Sequence, residues 1–406
     1  MTTILLIIIY LAFISLGLPD SLLGAAWPVM QPDLDTPMEM AGYLFMIIAA
    51  GTIVSSLVSG RLLNRFGTGK VTFVSVLMTA GALLGFHFAP SAFWLILCAI
   101  PLGLGAGAVD AGLNNYVATH YKAHHMSWLH SFWGVGATFG PIIMAQFISW
   151  QNSWRSGYLA ISIVQFILVI ILFIALPLWN KVEKGRTAKS VDPETPAAPS
   201  EETISSEKPL KIKGVKLALV AFFFYCGVEA TAGLWGSSFL VYSKDLSAAD
   251  AARWISFYWA GITVGRFITG FITFKLSNWI IIRTGQVIAF AGAVLLLLPL
   301  PAVVSLFGFI LIGLGFAPIY PCMLHETPAR FGKKHSQTIM GFQMAIAYTG
   351  TTFMPPLLGF AASQTTLAIF PFFVVISVAG MLLSSEKLNH LLKGRLQREN
   401  AKPNVL

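Results

Sequence analysis

Charged side chains are scarce in this sequence. Asp, Glu, Lys and Arg make up 11% of its 406 residues, against about a quarter in an ordinary soluble domain. A soluble enzyme or soluble binding module of this length is thereby excluded. Cysteine is equally sparse: Cys98, Cys226 and Cys322 all fall inside apolar runs and none has a CxxC spacing, so neither a disulfide framework nor a metal site is supported. The eight His are scattered, and His124-His125 has no partner ligands around it; no metal or cofactor is expected. No GxxxxGK[ST] phosphate loop occurs, which removes ATP-driven work. The net charge is +9, but no basic stripe interleaved with aromatics lies on a soluble face, so nucleic acid is not a partner.

Long apolar runs are what the chain has instead. Hydrophobic residues reach 56% and the mean hydropathy is +0.74. Runs of about 20 apolar residues mark membrane-spanning helices, and twelve are found: 4–30, 40–62, 70–90, 92–119, 127–149, 154–180, 213–242, 250–275, 279–299, 302–327, 336–360 and 366–385. Together they use most of the chain, leaving no room for a further soluble domain. The expectation is an all-α membrane protein of twelve transmembrane helices. Met1–Thr3 carries no Lys or Arg and the first run is interrupted at Pro19-Asp20, which predicts a retained first helix rather than a cleaved signal peptide.

Charge placement orients those helices. Of the 26 Lys and Arg, all but Arg155, Lys244, Arg253 and Arg266 fall in loops and termini on one side. The basic side is cytoplasmic by the positive-inside rule, so both termini are expected there, in a bacterial-type inner or plasma membrane.

The chain reads as two halves. Residues 181–212 are polar, Pro-rich and of mixed charge, and such a segment has too little apolar surface to offset its ordering entropy. We expect an N-terminal six-helix bundle at 1–180, a disordered cytoplasmic linker at 181–212, a C-terminal six-helix bundle at 213–386 and a cytoplasmic tail at 387–406. The halves match at a constant offset of 210 residues: Ala50-Gly51-Thr52 with Ala260-Gly261-Ile262, Gly103-Leu104-Gly105 with Gly313-Leu314-Gly315, and Gly17 with Gly227. Six is even, so both repeats enter the membrane in the same direction. That predicts parallel repeats about a pseudo-twofold along the membrane normal, with a cavity between them. The glycines suit closely packed helices that move past each other.

Four ionisable residues interrupt the apolar text: Asp20, Asp110, Glu229 and Arg266. A charge at bilayer depth costs on the order of a few kcal/mol, so such residues face a wet cavity or one another. A carboxyl in a low-dielectric site can load and release a proton across physiological pH, which converts a proton gradient into a bias between two conformations. Asp20, Asp110 and Glu229 are therefore the candidate proton-coupling acids. Arg266 has Ser56 as its repeat counterpart, so the repeat does not demand a cation there. It either snorkels to the interface, pairs with a carboxylate or gates the inner cavity.

At this point the chain resembles a known superfamily. Gly60-Arg61-Leu62-Leu63-Asn64-Arg65-Phe66-Gly67-Thr68-Gly69-Lys70 is similar to the cytoplasmic loop motif of the major facilitator superfamily between helices 2 and 3, with Asn64 where the family usually has Asp. A more degenerate copy ends at Lys275. A narrower resemblance is to the fucose–galactose–glucose proton symporter (fucose permease-like) family. It rests on Leu18-Pro19-Asp20-Ser21-Leu22-Leu23, on Asp110-Ala111-Gly112-Leu113-Asn114, and on Gly227-Val228-Glu229-Ala230-Thr231-Ala232. The resemblance implies that Asp20 and Asp110 serve proton coupling and sugar recognition. Asn115 replaces that family's Pro, and Glu229 stands in place of an amide.

Sugar recognition needs amides and aromatic rings, which supply directional hydrogen bonds and flat apolar faces. Asn114, Trp235, Tyr320 and Gln343 join Asp20, Asp110 and Glu229 as substrate-binding candidates, because they sit at mid-depth on helices whose equivalents line the superfamily's cavity. Gly60, Arg61, Arg65, Gly67, Lys70 and Arg266 are the gating and loop-motif candidates. Trp27 and Trp259 read either as cavity or as interfacial belt residues, and His130 as packing or site. The sequence therefore points to a proton-coupled secondary transporter, not an enzyme, working as a monomer by alternating access on a small neutral solute such as a monosaccharide. The competing reading is a proton-driven exporter of cationic amphiphiles.

Overall fold

The computed structural model describes residues 2–121, 123–187, 209–273 and 275–400. Among these residues all regular structure is helical. Bilayer interiors offer backbone groups no partner, so a spanning segment satisfies its own N–H and C=O groups as a helix. Fourteen helices follow in order: α1 Thr2–Asp20, α2 Leu22–Asp33, α3 Met40–Phe66, α4 Thr68–His87, α5 Ala92–His120, α6 Ala123–Gln151, α7 Trp154–Thr187, α8 Val215–Lys244, α9 Ala248–Ile272, α10 Asn278–Leu297, α11 Ala302–Phe316, α12 Ile319–Phe331, α13 Lys333–Gln364 and α14 Phe370–Asn400. Two of the twelve expected spans are broken helices, α1 with α2 and α11 with α12. Among the described residues eleven spans are long and apolar enough to cross a membrane. The remaining one, α13, is 32 residues long and opens on the polar run Lys333-Lys334-His335-Ser336-Gln337.

Two helices outrun the expected boundaries. α7 continues to Thr187, into the stretch read as linker, because extending a formed helix by one residue is far easier than nucleating one. The rest of that linker, 188–208, lies outside the described residues. α14 continues to Asn400, through most of the expected tail. Its physical reason is visible: Leu388 is fully buried against Val215, Ala218, Phe331 and Ile339, with Leu392 packed beside it. Residues 401–406 lie outside the described residues.

Packing follows the two halves of the chain. In the first half α1 lies along α6, and α5 lies between α3 and α4; in the second, α8 lies along α13 and α14, and α11 between α9 and α10. The same neighbours recur 210 residues apart. A Cβ on Gly103 would sit 2.2 Å from the Ile48 carbonyl oxygen, and one on Gly313 would sit 2.2 Å from that of Tyr258. Only a residue without a side chain permits this approach.

The halves meet through α2 on α8, α3 on α13 and α6 on α9. Their contact is tight at the end that carries Asp33, Arg155 and Lys244. There Gly24 abuts the backbone of Gly233 and Leu234, Gly42 abuts Pro356, and the Tyr242 hydroxyl donates to Gln31 Oε1 at 3.2 Å. Asp33 is held at this end by Arg155 and by the Trp154 indole N–H at 2.9 Å.

Candidate functional site

Pro19 makes the first feature of the site. Proline has no N–H to give to the carbonyl four residues back, which frees the Ser15 oxygen. Gln165 on α7 donates to that oxygen at 2.8 Å, and Thr79 on α4 donates to Gln165 Oε1 at 2.8 Å. The freed backbone group is thus satisfied inside the protein. α1 ends one residue later, at Asp20, whose carboxylate accepts from the Trp133 indole N–H at 2.8 Å.

Asp20 opens into a cavity of about 1310 Å³ between the two halves. Asp110 on α5, Glu229 on α8, Arg266 on α9 and Tyr320 on α12 line the same space. The cavity runs toward the basic end, where Trp128, Thr273, Asn278 and His325 line it. No residue of the tight α2–α8 contact beyond Leu234 is in its wall, so it is closed at the opposite end.

Each acid has a different partner. Asp20 takes the indole N–H. Asp110 takes the side-chain amide of Asn114, one helical turn on, at 2.8 Å. Glu229 takes a cation: Arg266 Nη2 lies 3.7 Å from Glu229 Oε1, and both side chains are 16% exposed. The Arg266 guanidinium also lies over the Trp133 ring, 5.3 Å from its centroid, in the range of a cation–π contact. Trp259 meets Trp133 edge-on at 5.9 Å. A continuous chain of contacts therefore runs from Asp20 through Trp133 and Arg266 to Glu229, and so from one half to the other. Tyr320 follows the α11–α12 break at Ala317-Pro318; its hydroxyl contacts the Met344 sulfur at 3.1 Å.

The structure gathers Asp20, Asp110, Glu229, Tyr320 and Arg266 in one wall. It places three other candidates elsewhere. Trp235 is fully buried and its indole N–H is used on the Pro355 carbonyl at 2.8 Å. Gln343 is buried and accepts from Thr327 at 2.9 Å. Asn114 spends its amide on the Asp110 backbone and carboxylate, so it positions an acid instead of facing the cavity. Trp27 is fully buried inside the helix packing and is not in the cavity wall. Trp259 and His130 line the cavity, His130 edge-on to Phe13 at 6.0 Å.

Of the roles open to Arg266, the structure shows pairing with a carboxylate, Glu229, in the cavity wall and apart from the loop motif. Gly60, Arg61 and Arg65 lie in the last turns of α3, Gly67 at the α3–α4 turn and Lys70 in the first turn of α4, none of them in the cavity wall, and among the described residues Arg61, Arg65 and Lys70 form no ion pair. The chain reverses there at Gly67, with φ +80°, a conformation glycine adopts readily. Trp133, an aromatic that the sequence already offers for a central cavity, lines it together with His130; a spacing of three puts both on one face of α6.

Comparisons with known proteins agree with this architecture. A family model described as Major Facilitator Superfamily matches residues 9–355. The chain is 22% identical over 368 residues to the glucose/mannose transporter of Bacillus subtilis, covering 89% of this chain and 88% of that one. It is 26% identical over 279 residues to bypass of stop codon protein 6 of Saccharomyces cerevisiae, covering 64% of this chain; it spans 55% of that protein's length. Among solved structures, a D-xylose–proton symporter superposes with a TM-score of 0.73 at 12% identity, over 95% of this chain and 96% of that one.

Proposed function

We propose, the chain being a member of the Major Facilitator Superfamily and so a transporter rather than an enzyme, that it is a proton-coupled symporter of a monosaccharide-class solute. The observation that carries this reading is the shared cavity: three carboxylates on three helices face one space that is closed at one end. The names of the glucose/mannose transporter and the D-xylose–proton symporter it resembles support a sugar. The positive-inside rule puts the basic end in the cytoplasm, with both termini. The cavity is then the inward-open state of an alternating-access cycle in a bacterial-type inner or plasma membrane. In that cycle the first and second halves act as the two moving bundles, joined by the 181–212 region, and the protein works as a monomer.

The division of labour follows from the partners. Asp20 and Asp110 each accept from a neutral donor, so protonation of either leaves no stranded cation. These two are the proton carriers, and Asp20 reports its state to the solute space through Trp133. The aromatic faces of Trp133, Trp259 and Tyr320 suit a pyranose ring, whose C–H faces are apolar and whose edge carries hydroxyls. A second reading is favoured by one feature: with all four groups ionised the cavity carries a net charge of two negatives in a largely apolar wall, which also suits a lipophilic cation.

Uptake into proteoliposomes decides between them. Labelled D-glucose and D-xylose, tested with the outside more acidic than the lumen, should accumulate above equilibrium, and a protonophore should abolish this. Failure of every neutral sugar, together with proton-driven movement of ethidium, would replace the symporter by the exporter.

A further inference from the structure

Arg266 cannot discharge. A guanidinium stays protonated at any pH a cell reaches, so this cation needs a counter-charge in every conformation the protein visits. Glu229 is its ion-pair partner at 3.7 Å. The two belong to adjacent helices of the same half, α8 and α9, which are also tied by the Tyr258 hydroxyl donating to the Glu229 carbonyl at 2.9 Å. A movement of one half against the other does not require this pair to separate. What such a movement does alter is the contact of Arg266 with Trp133, which crosses between the halves. The other ionisable or polarisable groups facing the pair are Tyr225 and Cys226 on α8, Tyr258 on α9, Tyr320 on α12 and His130 on α6; none of them carries a full negative charge that would replace Glu229.

We infer that Glu229 and Arg266 form a fixed charge pair that stays ionised through the transport cycle, and that the coupling protons ride on Asp20 and Asp110 alone. The inference rests on the proton-coupled reading above and narrows it. Were Glu229 to take a coupling proton, Arg266 would be left as an uncompensated cation in a poorly hydrated site, and breaking a buried pair is strongly unfavourable. Arg266 is then a positioning residue. It keeps Glu229 charged on one side and holds the Trp133 ring on the other, and through that ring it orients the N–H that binds Asp20.

Charge-pair substitution in proteoliposomes tests this, with D-glucose as the probe. Glu229→Gln and Arg266→Gln should each lower both counterflow and pH-driven accumulation by about tenfold or more, because each strands one charge. The double variant, which removes both charges, should recover both activities several-fold above either single variant. It should also keep the parent's proton-to-glucose ratio. The charge swap Glu229→Arg with Arg266→Glu, and the conservative Arg266→Lys, should likewise exceed the single neutral variants. Retained counterflow with lost accumulation in Glu229→Gln would instead make Glu229 a proton carrier and overturn the inference. A double variant no better than the singles, or one moving fewer protons per glucose, would overturn it too.

The two readings fail separately. If the parent moves no glucose, the sugar reading falls, and the pair is judged by thermal unfolding of the purified proteins. A double variant more stable than either single one upholds the pair. Losses that simply add refute it.

Discussion

Asp20 and Glu229 lie one position apart in the repeat, yet the two halves treat them differently. In the first half the helix breaks at the acid: Pro19 frees a backbone carbonyl, α1 stops at Asp20, and the carboxylate takes a neutral indole N–H at 2.8 Å. In the second half α8 runs unbroken through Glu229, and the carboxylate faces a guanidinium. The repeat counterpart of Arg266 is Ser56, whose hydroxyl donates to the Gly107 carbonyl at 3.2 Å and reaches no acid. One substitution at equivalent positions thus separates an acid held by a neutral donor from an acid paired with a cation. The lesson is that matching helix packing in the two halves fixes backbone placement and leaves electrostatic roles open.

Transport by single-acid variants should break the comparison most sharply. Asp20→Asn should keep measurable counterflow of labelled sugar but lose pH-driven accumulation by about tenfold or more, since a neutral carrier moves solute without a driving ion. Glu229→Gln should lose both together. If the two variants behave alike, the asymmetry has no functional content.

Packing should show the halves as equals where electrostatics does not. Gly103→Val and Gly313→Val each force a side chain to within 2.2 Å of a carbonyl oxygen on the neighbouring helix. Both should be destabilised by about 1–3 kcal/mol, the range for overpacking, and a thermal melt should show similar losses for the two. A loss confined to one of them would mean that the halves pack differently at this crossing.

Trp133→Phe sharpens the link between the halves. It removes the N–H that Asp20 accepts and keeps a ring beneath Arg266. The lost hydrogen bond to a charged group is worth about 1.5–3 kcal/mol, so the half-saturating solute concentration or the pH profile of uptake should move by roughly tenfold or more. An unchanged profile would remove Trp133 from the chain of contacts.

The smallest transport effect belongs to the residues that the cavity excludes. Trp235→Phe breaks the bond to the Pro355 carbonyl and Gln343→Ala the bond from Thr327. Each should lower stability by about 1–3 kcal/mol and leave the half-saturating sugar concentration as it was. A raised half-saturation point at unchanged Tm would return either residue to the binding site.

Which residues are legible in the sequence follows from the signal each one carries. Asp20, Asp110 and Glu229 stand out because an acid inside an apolar run is conspicuous in one dimension, and all three line the cavity. Trp235, Gln343 and Asn114 carry no such mark. An aromatic or an amide at mid-depth on a helix is equally at home against a proline carbonyl, a threonine or the acid one turn away, and depth alone does not say which way it points. The ends of α7 and α14 escape a sequence reading for a related reason: a polar, charged stretch reads as loop until a buried Leu388 anchors it to another helix.

Length, apolarity and the asymmetry of Lys and Arg are properties of the chain itself, because a bilayer imposes its thickness and its surface charge on any sequence that crosses it. Those properties determined that this is a helical membrane protein of about a dozen spans in two related halves. The offset of 210 residues is written in the chain as well, and it determined which glycines take corresponding places. The partner of each buried charge was decided only by tertiary structure. Arg266 could have reached the interface, a loop or any of three carboxylates, and these choices differ by the direction of a side chain across a gap of a few ångströms. Packing of α8 against α9 chose Glu229, and packing of α6 across the same gap put Trp133 between that pair and Asp20.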